Sequence, residues 1–303
     1  MSGKTAFITG ASGFIGSAVT KAAIAKGYKV RGLSRSEESD EKIRKLGGVP
    51  VRGELTSHDL LAKEAANADI VCSLGDAFMG SKFTIPHDDA VKITTAAIGA
   101  LAGALVGTDK PLIVASGARI VRADPNGGLT TEDDPLDENS FFDRRLLETP
   151  VLAWAQKGVR VATIRIAPFV HGEGNLIELL IGMAKSQGAA LVIDGGKVKT
   201  STVHVDDVGR LFILAAEKTK AGESYNATAE TDITFAEFMG AIATSAGVPV
   251  KDLTAEEALA SIGPMWSDYL NQPCRASSEK AKKVLGWEIQ EIGLIEHIKE
   301  LSE

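Results

Sequence analysis

The sequence predicts an α/β fold: a doubly wound parallel sheet followed by a smaller C-terminal lobe. Short apolar strand patterns alternate with helix patterns up to Ile166. A glycine-rich turn, Gly10-Ala11-Ser12-Gly13-Phe14-Ile15-Gly16, joins the first strand to the first helix. Beyond Ile166 the alternation loosens into helices with fewer strands between them. Strict alternation of this kind implies right-handed crossovers and helices on both faces of a parallel sheet.

The elements follow in order. Residues 5–8 read as a strand and 15–26 as a helix closed by Gly27, the left-handed stop expected just past a helix end. Strands at 28–33, 49–51, 69–74, 111–115 and 159–166 alternate with helices at 41–46, 58–66, 89–106 and 141–156. In the second half, 176–185 reads as a helix and 190–193 and 202–205 as strands. A helix over 206–217 opens on Asp206 and Asp207, anions suited to a helix N-terminus. Helices are further expected at 235–246, 255–261, 278–285 and 292–301. The sheet domain is assigned to 1–167, and 168–303 to a smaller, partly interleaved lobe. Residues 124–139 are acidic and contain Pro125 and Pro135, and read as a solvated loop beside the site.

Composition excludes several classes. The chain has 303 residues, 44% hydrophobic, with 33 basic against 40 acidic side chains and a net charge of −7. No basic block stands out, which argues against a nucleic-acid partner. No apolar run reaches the ~18 residues of a membrane span. Met1-Ser2-Gly3-Lys4 runs straight into a strand pattern without the apolar region of a signal peptide. Only Cys72 and Cys274 occur, and Cys72 sits in an apolar run. Neither a disulfide framework nor a metal site is expected, and the setting inferred is the cytoplasm.

The glycine turn carries the strongest chemical signal. Glycines let the chain turn tightly and let phosphates approach the amides at a helix N-terminus. A strand before and a helix after supply the context that gives the motif meaning. The stretches Arg165-Ile166-Ala167-Pro168-Phe169-Val170-His171-Gly172, Ser201 to Val208 and Ala281 to Trp287 are distinctive as well. With GASGFIG they resemble the extended and atypical short-chain dehydrogenase/reductases, the epimerase/dehydratase-like branch, over nearly the whole chain. The resemblance implies a Rossmann-type nucleotide-binding domain, a nicotinamide cofactor and a small-molecule substrate.

On that resemblance Gly10, Ser12, Gly13, Phe14, Ile15 and Gly16 hold the pyrophosphate. Glu54 and Leu55 lie beside the adenine, and Leu74 and Gly75 end the fourth strand where the cofactor passes. Pro168 and Val170 flank the nicotinamide. An NAD site places an acid at the end of the second strand; here Ser34 and Arg35 stand there. Arg35 is a permanently charged fork suited to a 2′-phosphate, so NADP(H) is expected over NAD(H). The alternative is a solvated loop cation.

The family's acid–base pair, a Tyr followed four residues later by Lys, is absent. Tyr28, Tyr225 and Tyr269 lack that partner. Taking Glu148 as the acid that follows the pair puts Arg144 at the Lys position and Ser140 at the Tyr position. Arg144 can bind ribose or substrate but cannot shuttle protons. Ser116 is either the family's catalytic hydroxyl displaced by one place or an ordinary strand-end residue. His171 is a candidate proton donor or a loop histidine satisfied by backbone, and His204 reads as structural. Arg119 and Arg122 face either a substrate carboxylate or solvent. The leading reading is an NADP(H)-dependent oxidoreductase, a reductase of a small carbonyl or related unsaturated substrate. A redox-neutral epimerase, dehydratase or cyclase and a non-catalytic NADP-sensing protein remain open. So does a homodimer through helices 89–106 and 141–156. Gly99, Gly103 and Gly107 on the first of these suit close packing on the chain's own sheet equally well.

Overall fold

The computed structural model describes residues 3–138, 143–174 and 176–301. β1 (Thr5–Thr9) leads through α1 (Phe14–Ala25), β2 (Lys29–Ser34), α2 (Glu37–Lys45), β3 (Val49–Arg52) and α3 (His58–Asn67) to β4 (Ile70–Ser73). A single turn, α4 (Ala77–Gly80), precedes α5 (His87–Gly103), β5 (Pro111–Gly117), α6 (Arg145–Leu152) and β6 (Arg160–Ile166). The second half supplies β7 (Phe169–His171), α7 (Leu176–Gln187), β8 (Ala190–Ile193), β9 (Lys199–His204), α8 (Val205–Lys218) and β10 (Glu223–Ala227). β11 (Glu230–Thr234), α9 (Phe235–Ala246), β12 (Val250–Leu253), α10 (Ala255–Tyr269) and α11 (Leu294–Glu300) complete the described chain.

Seven parallel strands pair in the order β10-β6-β5-β4-β1-β2-β3. Chain direction across the sheet reverses between β1 and β4, the place where open α/β sheets leave a crevice at their carboxyl ends. Side chains alternate along each strand. Ala6 and Ile8 therefore pack under α1 and α8 with Val19, Leu211 and Phe212. Phe7 faces the opposite layer with Leu61, Ile98, Leu101, Leu147 and Val151. Burying a side chain such as Phe7 contributes about 1.5–3 kcal/mol. α8 can lie against α1 because Gly209 has no side chain; a Cβ there would meet the Ala18 carbonyl oxygen at 2.6 Å. A further core is centred on Phe169, Phe235, Phe238 and Ile242. Among the described residues no helix is long and apolar enough to cross a membrane.

Several elements depart from the sequence reading. α2 begins at Glu37 rather than 41, because Ser36 caps it by accepting a hydrogen bond from the Ser39 amide at 3.2 Å. β10 was hidden by its polar residues. Its Ser224 hydroxyl meets that of Thr163 at 2.8 Å, so a polar side chain is buried satisfied. α10 continues past Ser261 to Tyr269 across a kink at Gly263, where φ is 77° and Pro264 follows. The acidic segment is a largely exposed loop, as expected, but it is anchored to the fold at a few points. Val121 bridges Leu136, Thr130 bridges Ala276, and buried Glu132 accepts from the Asn226 amide at 2.7 Å. Of the helix expected over 141–156, residues 141–142 lie outside the described residues and the rest begins at Arg145. Cβ atoms at Gly103 and Gly107 would meet nothing within 4 Å, so neither glycine serves packing on the chain's own sheet.

Candidate functional site

The turn after β1 has the shape a phosphate requires. Gly10 adopts φ 72°, and a Cβ there would stand 2.9 Å from the Leu74 carbonyl carbon. A Cβ at Gly16 would fall 1.9 Å from the Gly10 oxygen. Gly13 caps α1 without a side-chain hydrogen bond, which leaves amide donors at the helix N-terminus for an anion. A cleft of about 620 Å³ opens here. Gly10, Ser12, Gly13, Phe14, Ile15 and Gly16 form its floor. Arg35, Glu54, Leu55, Leu74 and Gly75 line it as well. These residues fit a dinucleotide, whose nicotinamide supplies a hydride donor or acceptor when bound.

A second cavity of about 340 Å³ continues from the first, sharing Ile15, Leu74, Gly75, Asp76, Met79 and Ala115 with it. Ser116, Arg144, Pro168 and Val170 line it, so most of the expected site meets around one space. Ser116 comes from the carboxyl end of β5; its Oγ is buried and has no partner among the described residues. Arg144 precedes α6. Its Nη1 donates to Asp76 Oδ2 at 3.0 Å. The other oxygen of Asp76 accepts the amides of Phe78 and Met79 at 2.8 and 3.1 Å.

A buried ion pair sets the position of α6. Arg165, on β6, donates from Nε and Nη2 to Glu148 Oε1 at 2.9 and 2.7 Å, with side-chain exposures of 5% and 2%. Its Nη1 also donates to the Glu132 carbonyl oxygen at 2.9 Å. Glu148 lies one helical turn beyond Arg144, so the pair that holds α6 to the sheet also sets Arg144 at the cavity.

Asp268, Tyr269 and Gln272, from the end of α10 and just beyond it, also line this cavity. Arg119 holds this segment in place. Its Nη2 donates to the carbonyls of Tyr269 and Gln272 at 2.9 and 3.0 Å, and its guanidinium lies 4.8 Å over the Tyr269 ring. Tyr269 donates its hydroxyl to the Pro168 carbonyl. Burial pushes its pKa upward. Arg119 is thus a clamp between the two halves of the chain, rather than a free surface charge. Arg122 is exposed.

Some expected residues do not meet the site. Ser34 is only 1% exposed, and its hydroxyl donates to the Ser36 carbonyl at 3.1 Å; Ser39 lines the cleft instead. His171 is fully buried and does not line either cavity. Strand alternation explains it: Val170 faces the cavity, so its neighbour turns to the opposite side of β7. There its ring lies 5.2 Å from that of His204 and 5.3 Å from that of His297. Burial, and then the neighbouring imidazoles of His204 and His297, push its pKa down to about 3. Ser140 lies outside the described residues. Asp76, Asp268 and Tyr269 escaped the sequence reading, because none carries a local motif that points at the cavity.

His204, Asp206 and Glu291 offer ligand atoms within 4.8 Å of one another. Two of the three residues already serve the fold. His204 Nδ1 accepts from the Asp206 amide at 3.2 Å, capping α8, and Arg210 donates to Glu291 at 2.9 Å.

A seven-stranded parallel sheet with a phosphate-shaped glycine turn, a cleft and an adjoining, mostly apolar cavity defines a nicotinamide-dinucleotide enzyme of the Rossmann type. The chain belongs to the NAD dependent epimerase/dehydratase family, whose model matches residues 6–228. It is 36% identical to an uncharacterized protein of Schizosaccharomyces pombe, over 93% of each chain. It is 27% identical to the 4-hydroxy-2-methyl-3-oxo-4-farnesyl-3,4-dihydroquinoline-1-oxide ketoreductase of Stigmatella aurantiaca, over 93% of this chain and 87% of that protein. The fold is also that of a nucleoside-diphosphate-sugar epimerase from Pseudomonas aeruginosa. That match has a TM-score of 0.80 at 17% identity and covers 98% of this chain and 95% of the other.

Proposed function

We propose that the protein is an NADP(H)-dependent reductase of a small carbonyl or related unsaturated substrate, acting without the family's Tyr–Lys pair. The observation that carries this reading is the buried, unpartnered Ser116 hydroxyl in a cavity continuous with the dinucleotide cleft. A polar group left unsatisfied in a cleft costs stability unless a ligand completes it. Ser116 would donate to the substrate oxygen, and Arg144 would hold substrate or ribose. Arg35 at the cleft rim, with no acid ending β2, supports NADP(H) over NAD(H). The similarity to a ketoreductase supports carbonyl reduction over a redox-neutral reaction. NADPH oxidation should be followed with diacetyl, ethyl acetoacetate and benzaldehyde. Turnover that Ser116→Ala reduces sustains the proposal. Tight NADPH binding with no oxidation by any of them overturns it in favour of a nucleotide-sensing role.

The same reading extends to assembly through α5 and α6. Light scattering at micromolar concentration tests it, and a mass near the 31.8 kDa chain counts against a homodimer.

A further inference from the structure

Carbonyl reduction adds a hydride to carbon, opens the C=O π bond and leaves an oxygen that must take one proton. The family tyrosine that would supply it has no counterpart at the cavity with a lysine partner. The protein's own candidates for the donor are the side chains that line the cavity.

Among the described lining residues, the side chains able to exchange a proton at ordinary pH are few. Arg119 and Arg144 are guanidinium groups that do not give up protons. Asp76 is engaged on both oxygens, by Arg144 and by the amides of Phe78 and Met79. Tyr269 already donates its hydroxyl to the Pro168 carbonyl. Asp268 is different: among the described residues no donor reaches its carboxylate. The kink at Gly263 and Pro264 lets α10 deliver it to the cavity wall, where the clamp by Arg119 on the next residue fixes the backbone.

We infer that Asp268 is the proton donor of this site, its carboxylic acid protonating the substrate oxygen as the hydride arrives. The inference rests on the reductase reading above. Electrons and atoms balance. The nicotinamide gives up a hydride, the carbonyl becomes an alcohol, and the Asp268 carboxylate regains its proton from solvent through the cleft. The surroundings favour the acid form. Burial raises the Asp268 pKa from its usual range and Asp137 on the acidic segment adds to the rise, while Arg119 opposes it. Asp76 and Arg144 line the same cavity and neutralise each other. A carboxyl whose acid form is favoured by partial burial and a neighbouring carboxylate is the pattern sought in a general acid.

Two measurements on the full chain test this. Carbon-13 NMR of aspartate-carboxyl-labelled protein, without cofactor, should show one signal titrating above the ordinary carboxylate range, and Asp268→Asn should remove it. In turnover with NADPH and ethyl acetoacetate, kcat should hold at low pH and fall as pH rises through that pKa. Asp268→Asn should lower kcat by about 100-fold or more, the scale of general acid catalysis, with partial recovery in Asp268→Glu. NADPH affinity measured by fluorescence should change little in either variant. An Asp268 signal near the ordinary value of 3.8 overturns the assignment. So does an Asp268→Asn enzyme within about threefold of wild type, since a lost acid costs far more. Absence of turnover by the unmodified protein overturns the reductase reading, and the proton-donor role with it.

Discussion

Arg144 Nη1 and Asp76 Oδ2 meet at 3.0 Å across the boundary between the dinucleotide cleft and the second cavity. The two residues come from opposite sides of β5: Asp76 follows β4, and Arg144 precedes α6. Arg144 therefore stands preoriented, at the spacing before Glu148 that the family uses for its lysine. Arg144→Met should weaken binding of cofactor or substrate by about 10- to 100-fold, as expected for a hydrogen bond to a charged group. Circular dichroism should show the fold unchanged, and fluorescence titration with NADPH gives the affinity. An unaltered affinity together with unaltered KM would refute the role.

The pair that positions α6 is open to a stability test. Glu148→Ala leaves the Arg165 guanidinium buried without its counter-charge. Removing one partner of a buried pair costs about 3–5 kcal/mol. Replacing both partners by methionine should recover much of that loss, because the stranded charge goes as well. Urea unfolding of the single and double variants measures both effects.

Arg35 stands at the rim of the cleft, where its Nη2 donates to the Gly80 carbonyl at 3.1 Å. That neutral contact can be exchanged for a phosphate. Arg35→Ala should narrow the preference for NADPH over NADH by about 1.5–3 kcal/mol, one charge-assisted contact. Equal affinities of the unmodified protein for the two nucleotides would remove the basis of the prediction.

His171 should act on acid stability rather than on catalysis. Its pKa is pushed down to about 3, below the ordinary 6.5, chiefly by burial. The neutral form is therefore favoured in the fold, and the unfolded chain takes up the proton first. Its contribution is fully present above pH 6.5 and is lost as pH falls from there toward about 3. His297, lowered in the same direction by burial, adds to the effect. His171→Leu should flatten the decline of unfolding free energy between neutral pH and about pH 4, by up to ~1.4 kcal/mol per pH unit. Denaturant titrations at two pH values decide it. A parallel decline in both proteins would mean that other groups govern acid unfolding.

The sequence by itself determined the first strand, glycine turn and helix, and the layering of the sheet. These depend on local period and on where a Cβ cannot fit. Phe7 against Ala6 and Ile8, and Gly10 against Gly16, carry that information within a few residues. The spacing from Glu148 also pointed to Arg144, which lines the cavity. Only the tertiary structure decided which side chains share the cavity. Arg119 and Tyr269 are 150 residues apart and meet because the C-terminal part of the chain folds back toward the carboxyl ends of β5 and β6. Asp268 reaches the site through a helix kink that no periodicity announces. His171 and Ser34 turned away, because strand pairing and a local hydrogen bond set the facing of a side chain, and neither can be read from its place in a motif. A motif specifies backbone that must take one shape, whereas a cavity is the meeting of surfaces whose partners lie far apart along the chain.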